Sequence, residues 1–147
     1  MRFMIIRRAD RDTEAGVVPG EPLLAAMGKY MEEMANAGVL LGGEGLHPSS
    51  KGARVKFSGG KPTVTDGPFT ETKELIAGYC LIQAPSKVEA VAWARRWPAE
   101  DADGEVELEI RPIFEADDFG EEFTPELREA EERLRADLAA KQASQGS

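Results

Sequence analysis

The sequence predicts an α+β domain of the ferredoxin-like type, with the order βαββαβ and an inserted β-hairpin. Three patterns carry this prediction. Apolar residues recur at spacings of three and four between Leu24 and Met34, which is typical of one face of a helix. Apolar and polar residues alternate strictly from Glu105 to Pro112, as in a strand with one buried face. Gly59-Gly60 separates two short alternating segments and favours a hairpin turn.

The first 47 residues are predicted to form two strands and one helix. The predicted elements are a strand at 2–7, a loop at 8–20, a helix from Glu21 to Gly38 and a strand from Val39 towards His47. Pro22 suits the first turn of the helix, and Gly38 is well placed to end it. Methionines on the apolar face of the helix favour packing against a sheet over an adaptable binding surface.

The residues after His47 complete the predicted order of elements and add a tail. The predicted elements are a hairpin at 54–65, a corner at Asp66-Gly67-Pro68-Phe69, a strand at 75–83, a helix from Ser86 to Pro98, a turn at 101–104 and a strand at 105–112. A helix beginning at Thr124 follows, because Thr124 can cap it and Pro125 fits its first turn. The chain therefore divides into an α+β domain at 1–118 and a charged helical tail at 119–147 with a disordered end from Ala143.

Composition narrows the classes of function. The 147 residues carry a net charge of −9, which argues against a nucleic-acid surface and against binding to anionic membranes. No apolar segment reaches the length of about 20 residues that spans a bilayer, and the N-terminus lacks a signal-peptide pattern. We expect a cytoplasmic protein. One cysteine and one histidine do not make a zinc site of the usual kind, so no metal and no cofactor is predicted. Cys80 lies in an apolar segment and is expected to be buried.

His47 is the first candidate for chemistry. Histidine titrates near neutral pH and is a natural general acid or base. A single histidine before a proline at the end of a strand is also a common structural or exposed residue, so both interpretations stay open.

Asp66 and Phe69 form the second candidate. An aspartate at the start of a turn commonly hydrogen-bonds the backbone, and Gly67-Pro68 enforces the bend. Alternatively, the bend directs Asp66 and Phe69 into a cavity, where Asp66 accepts a proton or orients His47. Sequence spacing does not decide whether His47 and Asp66 are close.

Four further residues are candidates for ligand binding. Glu74 and Tyr79 belong to the same predicted strand but point to opposite faces, so at most one of them lines a given cavity. Glu109 and Arg111 are neighbours on the polar face of the last strand. They form either a solvated ion pair of small energetic value or the lining of a polar chamber, with Arg111 binding an anion.

The chain resembles the DGPF-domain branch of the YCII-related family. The resemblance covers about residues 1–115 and rests on the segments GEGLHPSSKGARVKFSGGKPTVTDGPFTETKELIAGYCLIQAPSKVEAVAWARRWP and EVELEIRPIFE. It implies a dimeric α/β barrel in which two ferredoxin-like sheets pair face to face around a cavity. The family's proposed active-site pair, one histidine and one aspartate, corresponds here to His47 and Asp66.

The resemblance leaves the reaction open. The first hypothesis is a homodimer that binds a small molecule in a polar cavity, with acid–base chemistry by His47 and Asp66. By analogy with the fold, the reaction class is isomerisation or hydrolysis of a small organic acid. The second is a non-catalytic regulatory or interaction protein, because DGPF-domain genes often lie beside genes for extracytoplasmic-function sigma factors. The third, a haem or metal enzyme, has only His47 as a neutral nitrogen ligand.

Overall fold

The computed structural model describes residues 1–146. They divide into two compact units, one from Met1 to Ile113 and one that begins at Phe114. The first unit contains β1 (Arg2–Arg8), α1 (Arg11–Glu14), α2 (Glu21–Asn36), β2 (Leu40–Gly45), β3 (Ala53–Ser58), β4 (Lys61–Asp66), β5 (Ile76–Gln83), α3 (Lys87–Ala94) and β6 (Leu108–Pro112).

Four strands form an antiparallel sheet in the order β2-β5-β1-β6. The sheet places the first and third long strands at its centre, which is the arrangement of the ferredoxin-like fold. Among residues 1–146, strands β3 and β4 pair with each other and with no other strand, as a separate hairpin. The predicted α+β fold class with an inserted hairpin is therefore confirmed.

One face of the sheet forms the core with the two long helices. The alternation of β1 buries Phe3 and Ile5 on this face, while Met4 and Ile6 on the other face remain partly exposed. The fully and nearly fully buried apolar residues are Phe3, Ile5, Tyr30, Met34, Cys80, Ile82, Ala84, Ala90 and Ala94. Each large apolar side chain buried in this way stabilises the fold by about 1.5–3 kcal/mol.

Helix boundaries follow local signals that the sequence displays. Ser86 accepts a hydrogen bond from the Glu89 backbone at 3.3 Å and begins α3. The predicted loop at 8–20 contains the short helix α1, because Asp10 and Thr13 form a reciprocal capping box.

Two strands begin later in the chain than predicted. Glu74 lies in a 3₁₀ turn at Thr72–Glu74, before β5 begins, so it is not part of that strand. Strand β6 begins at Leu108 instead of Glu105. The turn before it contains left-handed backbone at Ala102 and Asp103, and this turn delays the extended conformation.

The second unit contains helix α4 (Pro125–Gln145) and a 3₁₀ segment at Ala116–Glu122. Thr124 caps α4, as predicted, by accepting a hydrogen bond from the Leu127 backbone at 3.3 Å. Three phenylalanine rings pack in sequence: Phe114 stacks on Phe119, and Phe119 meets Phe123 edge to face. The helix continues to Gln145, although a disordered end was predicted from Ala143; residue 147 lies outside the described residues.

Candidate functional site

A cleft of about 1060 Å³ lies on the helix-covered side of the sheet in the first unit. Its walls come from α2, from β2 and β5, and from the loop at 15–20. Apolar side chains form one part of the lining, namely Val17, Val18, Leu23, Leu24, Met27, Met31, Leu46, Cys80 and Trp97. The helix methionines therefore serve two purposes: Met34 is buried in the core, while Met27 and Met31 border the cleft.

Glycine lets β2 approach β5 closely at the floor of this cleft. A Cβ atom on Gly43 would lie 2.9 Å from the Tyr79 carbonyl oxygen and 3.3 Å from the Cys80 Cα. The close approach of the two strands therefore requires glycine at position 43. Cys80 beside it is buried, as expected, and burial raises the pKa of its thiol to about 11. The thiol is accordingly protonated at neutral pH and is a poor nucleophile.

The charged end of the cleft is built on a buried ion pair between Arg7 and Asp101. The Arg7 side chain donates from Nε and NH2 to the two Asp101 carboxylate oxygens at 3.1 and 2.7 Å. Trp97 donates its indole N–H to the same carboxylate at 2.9 Å, and Asp10 lies 3.0 Å from Arg7 NH1. Burial would raise the pKa of the Asp101 carboxyl, but the hydrogen bonds from Arg7 and Trp97 outweigh it and hold that pKa below its usual range.

This ion pair was not predicted from the sequence. Arg7 was expected at the end of the first strand and Asp101 in a turn. The available signal was the alternation of β1, which places Arg7 on the same face as the buried Phe3 and Ile5. A charged residue at such a position needs a partner, because an unpaired charge is very costly to bury.

His47 lies at the rim of the cleft, in the segment that follows β2. Its side chain is exposed, and within residues 1–146 it forms no hydrogen bond or ion pair. The Leu46 backbone donates to the Ala77 carbonyl at 2.8 Å, which continues the β2–β5 pairing up to the residue before His47. Glu44 and Lys51 are the charged residues nearest to it in the chain that also border the cleft.

Asp66 lies at the end of β4 and is exposed, outside the lining of the cleft. The expected hydrogen bond from its side chain to the turn is not formed: across the part of the chain that the structure describes, its carboxylate has no hydrogen-bond partner. The bend itself is present, with a cis peptide between Gly67 and Pro68. His47 and Asp66 thus belong to different surroundings, one at the cleft and one at the base of the hairpin.

The Asp-Gly-Pro-Phe corner is attached to the segment that follows His47. A Cβ atom on Gly67 would overlap the Ser49 carbonyl oxygen, so only glycine fits there without a shift. Ser49 Oγ accepts from the Phe69 backbone N–H at 3.0 Å and donates to Glu14 Oε2 at 2.5 Å. The Ser49 backbone N–H donates to the other oxygen of Glu14 at 3.0 Å. One carboxylate on α1 therefore fixes both the corner and the segment that carries His47.

The other predicted ligand-binding residues are dispersed. Phe69 is half-buried and lies outside the cleft lining, with the Arg54 guanidinium 3.9 Å from its ring centroid. Glu74 is exposed and also lies outside the lining. Tyr79 borders the cleft, but its neighbours Gly78 and Cys80 are buried on the helix side. Its side chain therefore projects from the opposite face of the sheet.

Glu109 and Arg111 lie on that opposite face, paired in register with Ile6 and Met4. Arg111 NH1 is 3.3 Å from Glu109 Oε2, and Arg8 NH1 is 3.4 Å from Glu109 Oε1. These side chains are partly to largely exposed within the chain. The structure thus joins Glu109 with Arg111 and separates both from His47.

Residues 1–146 contain no group of three or more histidine, cysteine, aspartate or glutamate side chains placed to hold a metal ion. None of their helices combines the length and the apolar character needed to cross a membrane.

Comparison with known proteins places the chain in a family. The YCII-related domain matches residues 1–117. A solved structure of 5-chloro-2-hydroxyhydroquinone dehydrochlorinase (TftG) from Burkholderia phenoliruptrix AC1100, in complex with 2,5-dihydroxybenzoquinone, is similar with a TM-score of 0.44 and 16% identity. That similarity covers 78% of this chain and 94% of the dehydrochlorinase chain.

A sequence relative adds no activity. An uncharacterized protein from Rhizobium meliloti (strain 1021) is 41% identical over 73 residues, which are 50% of this chain and 56% of the relative. The match thus spans little more than half the length of that relative. The family match is broader, since it covers the whole sheet and both helices that pack on it, and it agrees with the resemblance found in the sequence. The chain belongs to the YCII-related domain family.

Proposed function

We propose that this protein binds an uncharged or cationic small molecule with an apolar body in the cleft beside α2, and that His47 exchanges a proton with it. The observation that carries the proposal is the cleft itself. Its volume of about 1060 Å³ is at the upper end of the range of small-molecule sites, and its lining combines apolar side chains with a few polar ones.

The charges around the cleft favour this class of ligand. The carboxylates that border it are Asp10, Asp12, Glu44, Glu100, Asp101 and Asp103. The permanent cations are Arg7 and Lys51, and Arg7 is already engaged by Asp101 and Asp10. The surrounding potential is therefore negative, and it disfavours an anion. We therefore propose a neutral or positively charged substrate, in place of the small organic acid suggested by analogy with the fold.

His47 is the group best suited to proton transfer, because it is the only histidine and lies at the rim. The pairing of His47 with Asp66 stays a prediction. It requires that the Asp-Gly-Pro-Phe corner and the rim of the cleft approach each other around a bound ligand. Glu44 offers an alternative carboxylate, since it borders the same cleft. The two partners differ in position and can be separated by substitution.

We also propose a homodimer formed through the open face of the sheet. Met4, Ile6, Tyr79 and Leu81 lie on this face, partly exposed and outside the core cluster. Pairing two such faces would cover them and enclose Glu109 and Arg111, in keeping with the barrel expected for the family. The regulatory alternative with a sigma factor finds no support in the family description or in the two relatives, and it stays a prediction.

Thermal stabilisation by three probes of matched size tests the binding class: benzylamine, benzyl alcohol and benzoate. A ligand that binds only the native state adds about 2.7 kcal/mol of stability at 100 times its dissociation constant. We expect the amine and the alcohol to raise the melting temperature and benzoate to have no effect. A clear preference for benzoate would contradict the proposal.

Three substitutions then assign the proton-transfer group, each examined with any ligand that binds. His47→Gln should abolish the pH dependence of binding or turnover, while leaving the melting temperature of the free protein within a few degrees. Asp66→Asn and Glu44→Gln distinguish the two carboxylates, since only the true partner should shift the pH profile of His47. An unchanged profile in His47→Gln would remove histidine from the chemistry.

A further inference from the structure

The loop between α1 and α2 is exposed and carries no polar side chain. This loop, here called the strap, consists of residues 15–20 with the sequence Ala-Gly-Val-Val-Pro-Gly, in a chain of which 31% is charged. All six residues are exposed, Val17 by 60% and Val18 by 82%. Exposed apolar side chains that lie together mark a binding site more often than isolated ones do.

The strap forms part of the mouth of the cleft, because residues 16–20 all border it. Two other exposed apolar side chains border the same cleft from separate segments, Leu24 near the start of α2 and Leu46 after β2. Three segments of the chain therefore present exposed apolar side chains to one opening. An apolar group in that opening would remove all of them from water.

The strap is fixed at its two ends and free between them. At one end, Gly16 follows α1 with a left-handed backbone, at a φ of 80°. At the other end, the Gly20 carbonyl accepts a hydrogen bond from the Leu24 backbone at 3.1 Å, where α2 begins. Among residues 1–146, Val18 and Pro19 form no hydrogen bond. A segment with few hydrogen bonds and little buried surface moves at low cost, and residues at its ends absorb the change in backbone angles.

The end of the strap next to α1 adjoins the segment that carries His47. A Cβ atom on Gly16 would lie 3.9 Å from the Pro48 Cγ, which is ordinary van der Waals contact. Glu14, two residues before Gly16, holds Ser49 through its two carboxylate oxygens. The strap and the rim that carries His47 therefore share one anchor. Closure of the strap would exclude water from the place where His47 meets a ligand.

We propose that the strap closes on a ligand in the cleft, and that Val17 and Val18 select ligands whose apolar body reaches the mouth. The inference rests on the function proposed above and narrows its substrate class to molecules with an extended apolar part. The ligand is the occupant because the strap is continuous with the lining of the cleft, and because Leu24 and Leu46 expose apolar surface to the same opening. The driving force for closure grows with the apolar area removed from water, so a short ligand gains little from it.

The experiment compares two amines with the same head, benzylamine and 4-butylbenzylamine, by calorimetric titration. In the wild type, the butyl group should lower the dissociation constant at least about tenfold, since each buried methylene favours binding. Val17→Ser with Val18→Ser should reduce this gain to less than about threefold and change the affinity for benzylamine by less than about threefold. The matched control is Val88→Ser on α3, where the valine is 76% exposed and lies outside the cleft lining. It should keep the wild-type gain, and circular dichroism checks that each variant is folded.

Hydrogen exchange on the unmodified protein provides a second measurement. The amides of Val18 and Gly20 donate no hydrogen bond within residues 1–146, so they should exchange rapidly in the free protein and more slowly when 4-butylbenzylamine saturates the cleft. An equal gain in wild type and double variant, or no slowing at saturation, would overturn the strap and leave the cleft as a binding site. Slow exchange in the free protein that depends on protein concentration would also overturn it, because a second copy would then cover the strap. If neither amine binds the wild type, the proposed function fails and the strap fails with it.

Discussion

The ion pair of Arg7 and Asp101 shows how one buried charge constrains its neighbours. Arg7 is 6% exposed and Asp101 7% exposed, so both have lost most of their hydration. Contacts of the guanidinium with the Asp101 carboxylate, the Asp10 carboxylate and the Arg8 carbonyl replace its lost hydrogen bonds to water. Such a pair does not by itself guarantee added stability, but removing one partner leaves an uncompensated charge.

Asp101→Ala should therefore reduce the free energy of unfolding at pH 7 by about 3–5 kcal/mol, measured by chemical denaturation. The control is Glu33→Gln, which removes a partly exposed ion pair with Arg96. Exposed pairs contribute about 0–1 kcal/mol, so the control should stay within that range. Equal effects of the two substitutions would show that the buried pair has no special role.

The destabilisation caused by Asp101→Ala should depend on pH. The pKa of Asp101 is lower in the folded protein than in the unfolded chain, where it is about 3.9. Its contribution to stability is thus fully present above that value and is lost as the pH falls through the folded pKa. The difference in unfolding free energy between wild type and Asp101→Ala should shrink below about pH 4. A constant difference down to acid pH would assign the effect to packing alone.

At the scale of elements, the Asp-Gly-Pro-Phe corner is defined by what it contacts. Gly67 donates its backbone N–H to the Gly52 carbonyl at 3.0 Å and leaves no room for a side chain beside Ser49. Phe69 donates to Ser49 Oγ, and Ser49 is in turn held by Glu14. These contacts therefore couple the position of the corner to the position of the segment after His47.

Gly67→Ala should lower the free energy of unfolding by about 1–3 kcal/mol, because the new Cβ forces the corner away from Ser49. The control is Gly42→Ala, where a Cβ meets no atom within 4 Å and the backbone is not left-handed. That substitution should be neutral or slightly stabilising, since it restricts the unfolded chain. Denaturation of both variants, with hydrogen exchange at 47–52, checks the prediction. Undisturbed exchange in Gly67→Ala would mean that the corner does not fix the rim.

Local patterns predicted the elements but not their contacts. Periodicity indicated the long strands and α2, because burial of one face imposes a repeat of two or of 3.6 residues. The hairpin was predicted from Gly59-Gly60 for the same kind of local reason. The links from Ser49 to Glu14 and Phe69 cross 35 and 20 residues of sequence, and no repeat encodes them. Candidate residues such as His47 could therefore be named, while their surroundings could not.

For the whole molecule, the sheet, its core and every residue of the cleft belong to the unit that ends at Ile113. The Ile113 backbone N–H donates to the Arg2 carbonyl at 2.9 Å and closes the pairing of β6 with β1. The unit that begins at Phe114 has its own cluster of phenylalanine rings and its own helix. The division observed thus lies five residues before the boundary expected at 118.

A chain that ends at residue 113 should therefore fold and retain the ligand response of the full chain. We expect its melting temperature to fall by no more than a few degrees and its stabilisation by benzylamine to match that of the full chain, because the core and the cleft remain complete. A chain that ends at residue 107 is the control. It lacks β6 and leaves one edge of β1 unpaired, so it should lose cooperative unfolding. If the chain ending at 113 also unfolds without cooperativity, residues after Phe114 contribute to the stability of the first unit and the two units are not independent.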